Sequence, residues 1–285
     1  SNASRGLGDV YKRQAMYGIE EGLIDWDFSI FDEGFFTLPE DGRIYRDWKE
    51  GGHGDTNLFK AITQSSNTYF FDLAYRSDIN QLNKHLSSLG FGNKACIDCF
   101  EEDQVFVPEP SWKINKHNFG WFKGDTVNMG VGQGYLVSTP IQLAKYAYIM
   151  ANKGKFSDLS LKKDLVKSEK SIEFNKFSND DWFKLHESMV NVIEGNTGTA
   201  RRLREKKNYI VAAKTGTAEL VSGDNREQYS ETRLDDSLRD HALIIAFGPM
   251  PNPRYAVSVV VENGESGGSV AGPVAISVLN SLIQE

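Results

Sequence analysis

Apolar residues recur at helical spacing in several segments of the first two thirds of the chain. These segments alternate with residues 28–54, which predict short strands or extended loops, and with a loop-rich stretch at residues 100–135. A helix is predicted after residue 54, with Asp55 or Thr56 as its N-cap, and residues 64–67 form a polar interruption within it. The apolar positions that define this helix are Leu58, Phe59, Ile62, Phe70, Leu73 and Ala74. A second helix is predicted over residues 80–89, ending at Gly90 because glycine tolerates a left-handed C-terminal turn.

Capping residues predict two further helices. Thr139 is a good N-cap and Pro140 suits the first helical position, so a helix should begin there and end before Gly154. Its predicted buried side consists of Ile141, Leu143, Ala144, Ala147, Tyr148 and Met150. Residues 155–179 are polar and are interpreted as an exposed insertion, followed by a helix over residues 180–193.

The last third of the chain changes to the spacing of β-strands. Three β-rich runs, at residues 209–214, 242–247 and 255–261, are predicted to pair as antiparallel neighbours. A helix over residues 272–284 should cover one face of that sheet with Val274, Ile276, Val278, Leu279 and Ile283. Helices packed on an antiparallel sheet predict an α+β fold.

Composition limits the class of protein. The chain has 285 residues, 40% of them hydrophobic, which is enough for one domain with a real core. The net charge of -7, with both signs scattered, gives no basic stripe, so nucleic acid is not expected as a partner. No apolar run approaches the roughly eighteen residues of a membrane span and no signal peptide is recognised, so any membrane anchor is expected outside this sequence.

The first residues do not follow either periodicity. Ser1-Asn2-Ala3 has the look of a cleaved expression tag, and residues 4–14 are interpreted as disordered or foreign to the natural gene. The domain is therefore expected to comprise residues 15–285.

Two groups of residues contain side chains that can bind a metal, but each group also has an interpretation without a metal. Cys96-Ile-Asp-Cys99 admits a disulfide, half a metal site or two small apolar side chains near a turn, and the last is favoured because no second CxxC accompanies it. Asp32, Asp47 and His53 precede a triplet whose Ser66 stands where a fourth zinc ligand would be useful. Hydrogen bonding within a loop-rich core is the more usual role of such groups, so no metal is predicted.

Three short motifs carry candidate chemistry. Lys214-Thr215-Gly216-Thr217 lies at the end of a predicted edge strand, where the lysine and two hydroxyls offer donors to a carboxylate and Gly216 leaves room for a ligand backbone. Ser65-Ser66-Asn67 is an SxN triplet that precedes it. The glycine-rich stretch at residues 130–134 is not interpreted as a nucleotide site, since no strand leads into it.

The order SxN then KTG resembles the serine penicillin-recognising enzymes, whose motif set is SxxK, SxN and KTG. From about residue 15 onwards, the surrounding sequence resembles the class B penicillin-binding proteins of the elongation type, penicillin-binding protein 2. The phrases that carry this resemblance are Phe31-Asp32, Tyr45-Arg-Asp-Trp48, Gly52-His-Gly54, Gly124-Asp125, Gly130-Val-Gly-Gln-Gly-Tyr135, Thr139-Pro140, Gly198-Thr-Ala200, Arg239-Asp-His241 and Glu262-Asn-Gly264.

The resemblance implies a serine β-lactamase/DD-transpeptidase-like fold and a cofactor-free peptidoglycan transpeptidase that forms an acyl-enzyme. Ser65 would relay a proton to the leaving amine, Asn67 would bind the substrate amide, and Lys214 would supply positive potential. Thr215 and Thr217 would hold the terminal carboxylate beside Gly216, and the Thr217 N–H would form half of the oxyanion hole.

The implied partners are peptidoglycan stem peptides ending in D-Ala-D-Ala, β-lactam antibiotics and membrane proteins of cell elongation. The implied location is the periplasmic face of the bacterial inner membrane.

The chain departs from the family pattern at the nucleophile. The family's SxxK serine lies upstream of SxN, within the first fifteen or so positions here, where no Ser-x-x-Lys occurs; the literal match Ser160-Leu-Lys-Lys163 is in the wrong order and context. The chain as it stands is therefore expected to be inactive. A β-lactamase or β-lactam sensor of the same fold, and a non-catalytic binding module, remain as alternatives.

Overall fold

The computed structural model describes residues 4–5, 11–103, 105–165, 168–218 and 239–283. The N-terminal elements are β1 (Ser4–Arg5), α1 (Tyr11–Glu21), β2 (Ser29–Asp32), β3 (Phe35–Thr37), β4 (Ile44–Arg46) and β5 (Gly54–Asn57). A helical region follows, with α2 (Leu58–Gln64), α3 (Asn67–Arg76), α4 (Ile79–Ser88), α5 (Pro110–His117) and α6 (Lys123–Gly130). The next elements are β6 (Val137–Ser138), α7 (Pro140–Ala151), β7 (Lys155–Phe156), β8 (Lys170–Ser171) and α8 (Asn179–Glu194). The chain then forms a 3-10 helix (Arg201–Lys206), β9 (Ala212–Ala218), β10 (His241–Gly248), β11 (Tyr255–Val261), a π-helical turn (Gly267–Ala271) and α9 (Gly272–Ile283).

Strands β9, β10 and β11 form an antiparallel sheet in the order β11-β10-β9, which confirms the predicted pairing. Successive residues of β10 point to opposite faces. Leu243 and Ile245 join the larger hydrophobic core, whereas Ala242 and Ile244 join a second core beneath α9. The sheet is therefore covered on both faces, and among the described residues β9 is an edge strand.

The first strand of the sheet was predicted too early, at residues 209–214. The observed β9 extends to Ala218 because Thr217 pairs with Ala242, and Gly216 with Leu243, across the sheet. The polar residues of the KTG motif are thus held inside the strand by the backbone of β10, and the local sequence does not reveal how far this pairing extends.

The predicted helix after residue 54 is two helices, α2 and α3, separated at Ser65. The predicted N-caps Asp55 and Thr56 were wrong. Asn57 caps α2 by accepting a hydrogen bond from the Lys60 N–H, and Ser66 caps α3 by accepting one from Tyr69. The polar interruption is therefore a C-terminal turn followed at once by a new N-cap.

The other predicted helices are present with small changes in their bounds. Thr139 and Gln142 form a capping box at the start of α7 with Pro140 in its first turn, and Gly90 follows α4 with a φ of 90°. Some predicted core positions were wrong, since Ile141, Ala144 and Tyr148 of α7 are only half-buried while Tyr146 and Ile149 are fully buried. In α9, Val274 and Val278 are exposed, and Ala275, Ile276 and Leu279 form the buried face.

Two segments that were expected to be irregular take part in the fold. Helix α1 begins at Tyr11, and the amide of the buried Gln14 donates to the carbonyl of Phe70 at 3.1 Å. The insertion at residues 155–179 is not wholly exposed, because the buried Phe177 packs edge-on against Trp182. The domain boundary at residue 15 remains a prediction.

Cys96 and Cys99 are joined in a disulfide, so the favoured interpretation as two separate apolar side chains was wrong. Among the described helices, none combines the length and the apolar character needed to cross a membrane.

Candidate functional site

Ser65 and Lys214 meet although they are far apart in the sequence. The Lys214 Nζ donates to the Ser65 Oγ at 2.6 Å and to the carbonyl of Thr215 at 2.6 Å. Lys214 is fully buried, with 0% of its surface exposed. Ser65 has φ 60° and ψ 44°, a left-handed conformation that is uncommon outside glycine. The turn between α2 and α3 therefore presents the Ser65 hydroxyl to the lysine on β9.

A groove of about 440 Å³ opens over this contact. Of the predicted site residues, Ser65, Asn67, Thr215, Gly216 and Thr217 line it. Lys214 lies below the groove surface and reaches it through Ser65. The other lining residues are Trp48, Gln133, Thr197, Thr199, Ala200, Arg201, Arg202, Glu265, Ser266, Gly267, Gly268 and Ser269.

The threonines of β9 are held by residues that the motifs did not identify. The hydroxyls of Thr199 and Thr215 are hydrogen-bonded at 2.7 Å, and Thr215 is only 8% exposed. Gln133 donates its amide to the carbonyl of Thr217 at 3.2 Å. Thr199 and Gln133 both lie within phrases that resemble the family, but nothing in their local sequence predicts these contacts. The Thr215 hydroxyl, which the sequence predicts to bind a carboxylate, is thus hydrogen-bonded to Thr199.

Trp48 supports the turn at Ser65 from the solvent side. Its indole N–H donates to the carbonyls of Gln64 (3.2 Å) and Ser65 (3.0 Å), and its ring contacts the imidazole of His53 edge-on. Because these carbonyls end α2, the indole satisfies acceptors that the helix leaves free.

A buried network lies behind the turn. His53 contacts Asp47 Oδ1 through Nε2 at 3.3 Å and Gln64 Oε1 through Nδ1 at 3.0 Å. Asp47 Oδ2 accepts the backbone N–H of Thr68 at 2.9 Å. Burial raises the pKa of Asp47, but the hydrogen bonds from His53 and Thr68 outweigh burial and leave this pKa lowered. Burial lowers the pKa of His53, but its bonds to Asp47 and Gln64 outweigh burial and leave this pKa raised.

Asp32, Asp47 and His53 offer ligand atoms that lie within 4.8 Å of one another. This spacing is short enough for the three groups to share one cation. The same groups are hydrogen-bonded in the described structure, where Ser66 Oγ donates to Asp32 Oδ2 at 2.7 Å. The hydrogen-bonding role expected from the sequence is present and accounts for the burial of these groups.

Ser160 lies away from the groove. Its hydroxyl donates to the Asp98 Oδ2 at 2.8 Å, beside the Cys96–Cys99 disulfide, and it is not among the residues that line the groove. This position agrees with the interpretation of its SxxK match as accidental.

Comparison with protein families matches residues 14–280 to the penicillin binding protein transpeptidase domain. The peptidoglycan D,D-transpeptidase MrdA of Acinetobacter baumannii is 38% identical over 267 residues, covering 90% of this chain and 39% of that protein. MrdA of Haemophilus influenzae is 36% identical over 273 residues, covering 93% of this chain and 42% of that protein. The chain therefore spans about two fifths of the length of these relatives.

Solved structures give the same result. Pseudomonas aeruginosa PBP2 in complex with WCK 5153 superposes with a TM-score of 0.88 at 33% identity, covering 99% of this chain and 62% of that one. PBP2 from Helicobacter pylori superposes with a TM-score of 0.85 at 29% identity, covering 99% and 50% of the two chains. That protein has also been solved in complex with MreC. These matches confirm the predicted α+β fold.

Proposed function

This chain belongs to the penicillin-binding protein transpeptidase family, and we propose that it provides the substrate groove of an elongation-type peptidoglycan D,D-transpeptidase. The contact between Lys214 Nζ and Ser65 Oγ carries this proposal. It joins the SxN and KTG motifs at the floor of one groove, as the chemistry requires.

The D-Ala-D-Ala end of a stem peptide lies along β9 in this proposal. Gly216 carries no side chain to obstruct the ligand backbone. The Thr217 hydroxyl and one hydroxyl of the hydrogen-bonded pair Thr199–Thr215 donate to the terminal carboxylate. Lys214 adds positive potential from beneath. The amide of Asn67 binds the substrate amide at the opposite wall of the groove.

Ser65 passes a proton between Lys214 and the leaving amine. Its hydroxyl accepts from Lys214 Nζ and has its own proton available for the groove, which is the arrangement that a relay requires. The left-handed turn at Ser65, held by Trp48, fixes the direction of this hydroxyl.

The attacking serine is the part of the machinery that this sequence does not supply in SxxK form. In the described part of the chain, the hydrogen-bond partner of the Ser65 hydroxyl is Lys214, which acts as a donor and not as a base, and Ser160 lies beside Asp98. The chain as it stands therefore should not form an acyl-enzyme with β-lactams. We further propose that in the natural protein an upstream Ser-x-x-Lys segment completes the groove.

The location and partners extend the same proposal to the whole protein. A transpeptidase of this family acts where peptidoglycan is assembled, so we assign the domain to the periplasmic face of the inner membrane. The complex of Helicobacter pylori PBP2 with MreC supports a partner of that kind among the membrane proteins of cell elongation. A native N-terminus without a transmembrane segment or an export sequence would contradict this location.

The test uses a fluorescent penicillin, followed by denaturing electrophoresis and intact mass measurement. The chain as it stands should remain unlabelled, whereas the same chain preceded by a Ser-x-x-Lys segment on an apolar helix should be labelled at that serine. Lys214→Met in the completed chain should reduce labelling while the circular dichroism spectrum stays unchanged, because the substitution removes the positive potential beneath the groove.

Two results would contradict the proposal. Stoichiometric label on Ser65 or Ser160 would show that the nucleophile is already present. Failure of the completed, folded chain to take up any label would contradict the proposed function.

A further inference from the structure

Two arginines line the groove in a chain whose net charge is -7. Arg201 and Arg202 begin the 3-10 helix that follows Thr199 and Ala200, and both side chains are exposed. Neither forms an ion pair with any residue that the structure describes. By contrast, Arg204 of the same helix pairs with Glu194, and Arg239 pairs with Glu265 at the groove rim.

The backbone that carries these arginines is well anchored. The Ala200 N–H donates to the carbonyl of Val192 at 2.9 Å, and the side chain of Leu203 is buried in the core beneath α9. Gly268 packs so closely on this segment that a Cβ there would lie 2.6 Å from the carbonyl oxygen of Thr199. The arginines therefore start from a fixed position beside the threonine cluster, although their side chains extend into solvent.

The terminal carboxylate of the ligand has its donors elsewhere. Thr215 and Thr217 of β9, together with the neighbouring Thr199, provide that subsite in the proposed function. Arg201 and Arg202 are thus surplus to the recognition of D-Ala-D-Ala, while they line the same groove. A guanidinium group matches a carboxylate in a bidentate geometry, so the chemistry that best satisfies this pair is a further carboxylate on the same ligand.

We propose that Arg201 and Arg202 form a subsite for a second carboxylate of the stem peptide, on a residue upstream of the two D-alanines. This inference rests on the proposed function, because it assumes that the D-Ala-D-Ala end lies along β9. It makes the groove selective for stem peptides in which that carboxylate is free over those in which it is amidated.

The experiment compares two synthetic pentapeptides that end in D-Ala-D-Ala and differ only at the third residue, a diamino acid with a free side-chain-terminal carboxylate or with the corresponding carboxamide. Their dissociation constants for the chain are measured by ligand-detected NMR. The carboxylate peptide should bind about threefold to tenfold more tightly, the range expected for an exposed charge pair with bidentate geometry. This preference should shrink as salt is raised, since exposed charges are screened.

The variants separate the subsite from its surroundings. Arg201→Gln combined with Arg202→Gln should abolish the preference, so that the two peptides bind with equal affinity. Arg254→Gln, which removes an arginine that stacks on Tyr255 outside the groove, should retain the preference. A preference that survives the double variant, or equal affinities in the parent chain, would overturn the inference alone.

A separate arm tests the proposed function. Lys214→Met should weaken both peptides alike, because it acts on the terminal carboxylate that they share. If neither pentapeptide nor a short acyl-D-Ala-D-Ala binds the parent chain, the proposed function fails and the subsite fails with it.

Discussion

The carboxylate of Asp47 connects the hairpin region before α2 to the first turn of α3, and its replacement by asparagine tests how much this connection stabilises the site. Oδ2 accepts from the Thr68 N–H at 2.9 Å, and Oδ1 contacts His53 Nε2 at 3.3 Å. The side chains of His53 and Asp47 are 1% and 0% exposed. Solvent therefore screens this pair little.

The expected loss follows from this burial. Removing one partner of a buried ion pair costs about 3–5 kcal/mol, and asparagine keeps an acceptor for Thr68, so Asp47→Asn should cost about 3 kcal/mol. For a domain of this size such a loss lowers the melting temperature by on the order of 5–10 °C.

The loss should depend on pH. The pKa of His53 is raised in the folded chain. Its contribution to the free energy of unfolding is therefore complete below its unfolded pKa of about 6.5, and this contribution disappears as pH rises through the folded pKa. The pKa of Asp47 is lowered, so its contribution is complete above its unfolded pKa of about 3.9 and disappears as pH falls through the folded value. The pair therefore stabilises most between about pH 4 and 6.5.

Thermal unfolding followed by near-ultraviolet circular dichroism at about pH 5.5 and 8.5 measures this effect. A chelator in the buffer ensures that hydrogen bonding alone is compared. Asp55→Asn, at an exposed position of the neighbouring strand β5, is the matched control and should leave the melting temperature nearly unchanged. Equal melting temperatures for the two variants, or a larger deficit of Asp47→Asn at the higher pH, would refute this account of the network.

Two further substitutions test how the groove is built. Gly267→Ala should destabilise the chain by about 1–3 kcal/mol, because the added Cβ would collide with the carbonyl oxygen of Leu243. Thermal unfolding measures this loss of stability. The control Gly120→Ala, at a position where no atom lies within 4 Å of the added Cβ, should leave the stability nearly unchanged. Trp48→Phe removes the donor to the carbonyls of Gln64 and Ser65, so it should lower the free energy of unfolding by about 1 kcal/mol. It should also weaken peptide binding measured by NMR. Unchanged binding would contradict a positioning role for the indole.

Features coded by neighbouring residues were the most predictable parts of the fold. The start of α7 was predicted correctly because Thr139, Pro140 and Gln142 lie within a few residues of one another and satisfy the helix end themselves. The break at Ser65 was seen only as a polar interruption, because the turn depends on the Trp48 indole from a distant segment. The extent of β9 was mispredicted for a similar reason, since the number of residues that pair with β10 cannot be read from the β9 sequence alone.

The residues of the candidate site also differ in how far the sequence predicts them. Ser65, Asn67 and Lys214 were predicted because the SxN and KTG motifs are each contiguous in the sequence. Sequence gave no reason to select Thr199 or Arg201 for the groove. Thr199 lies between α8 and the 3-10 helix and Arg201 begins that helix, and their position depends on tertiary contacts such as the packing of Gly268 against Thr199 and the Ala200–Val192 hydrogen bond.

The groove is a junction between two independently built walls. Ser65 is fixed by the turn between α2 and α3, and Lys214 by the sheet, so the space between them depends on the contacts that cross it. These include the Lys214–Ser65 hydrogen bond and the bond from the Gln64 amide to the Thr197 hydroxyl at 3.1 Å. Because Gln64 also bonds His53, a change in the buried network behind Ser65 should reach the far wall through this one side chain. The stability of the Asp47 network and the width of the groove are therefore coupled, and substitutions in either should alter ligand binding.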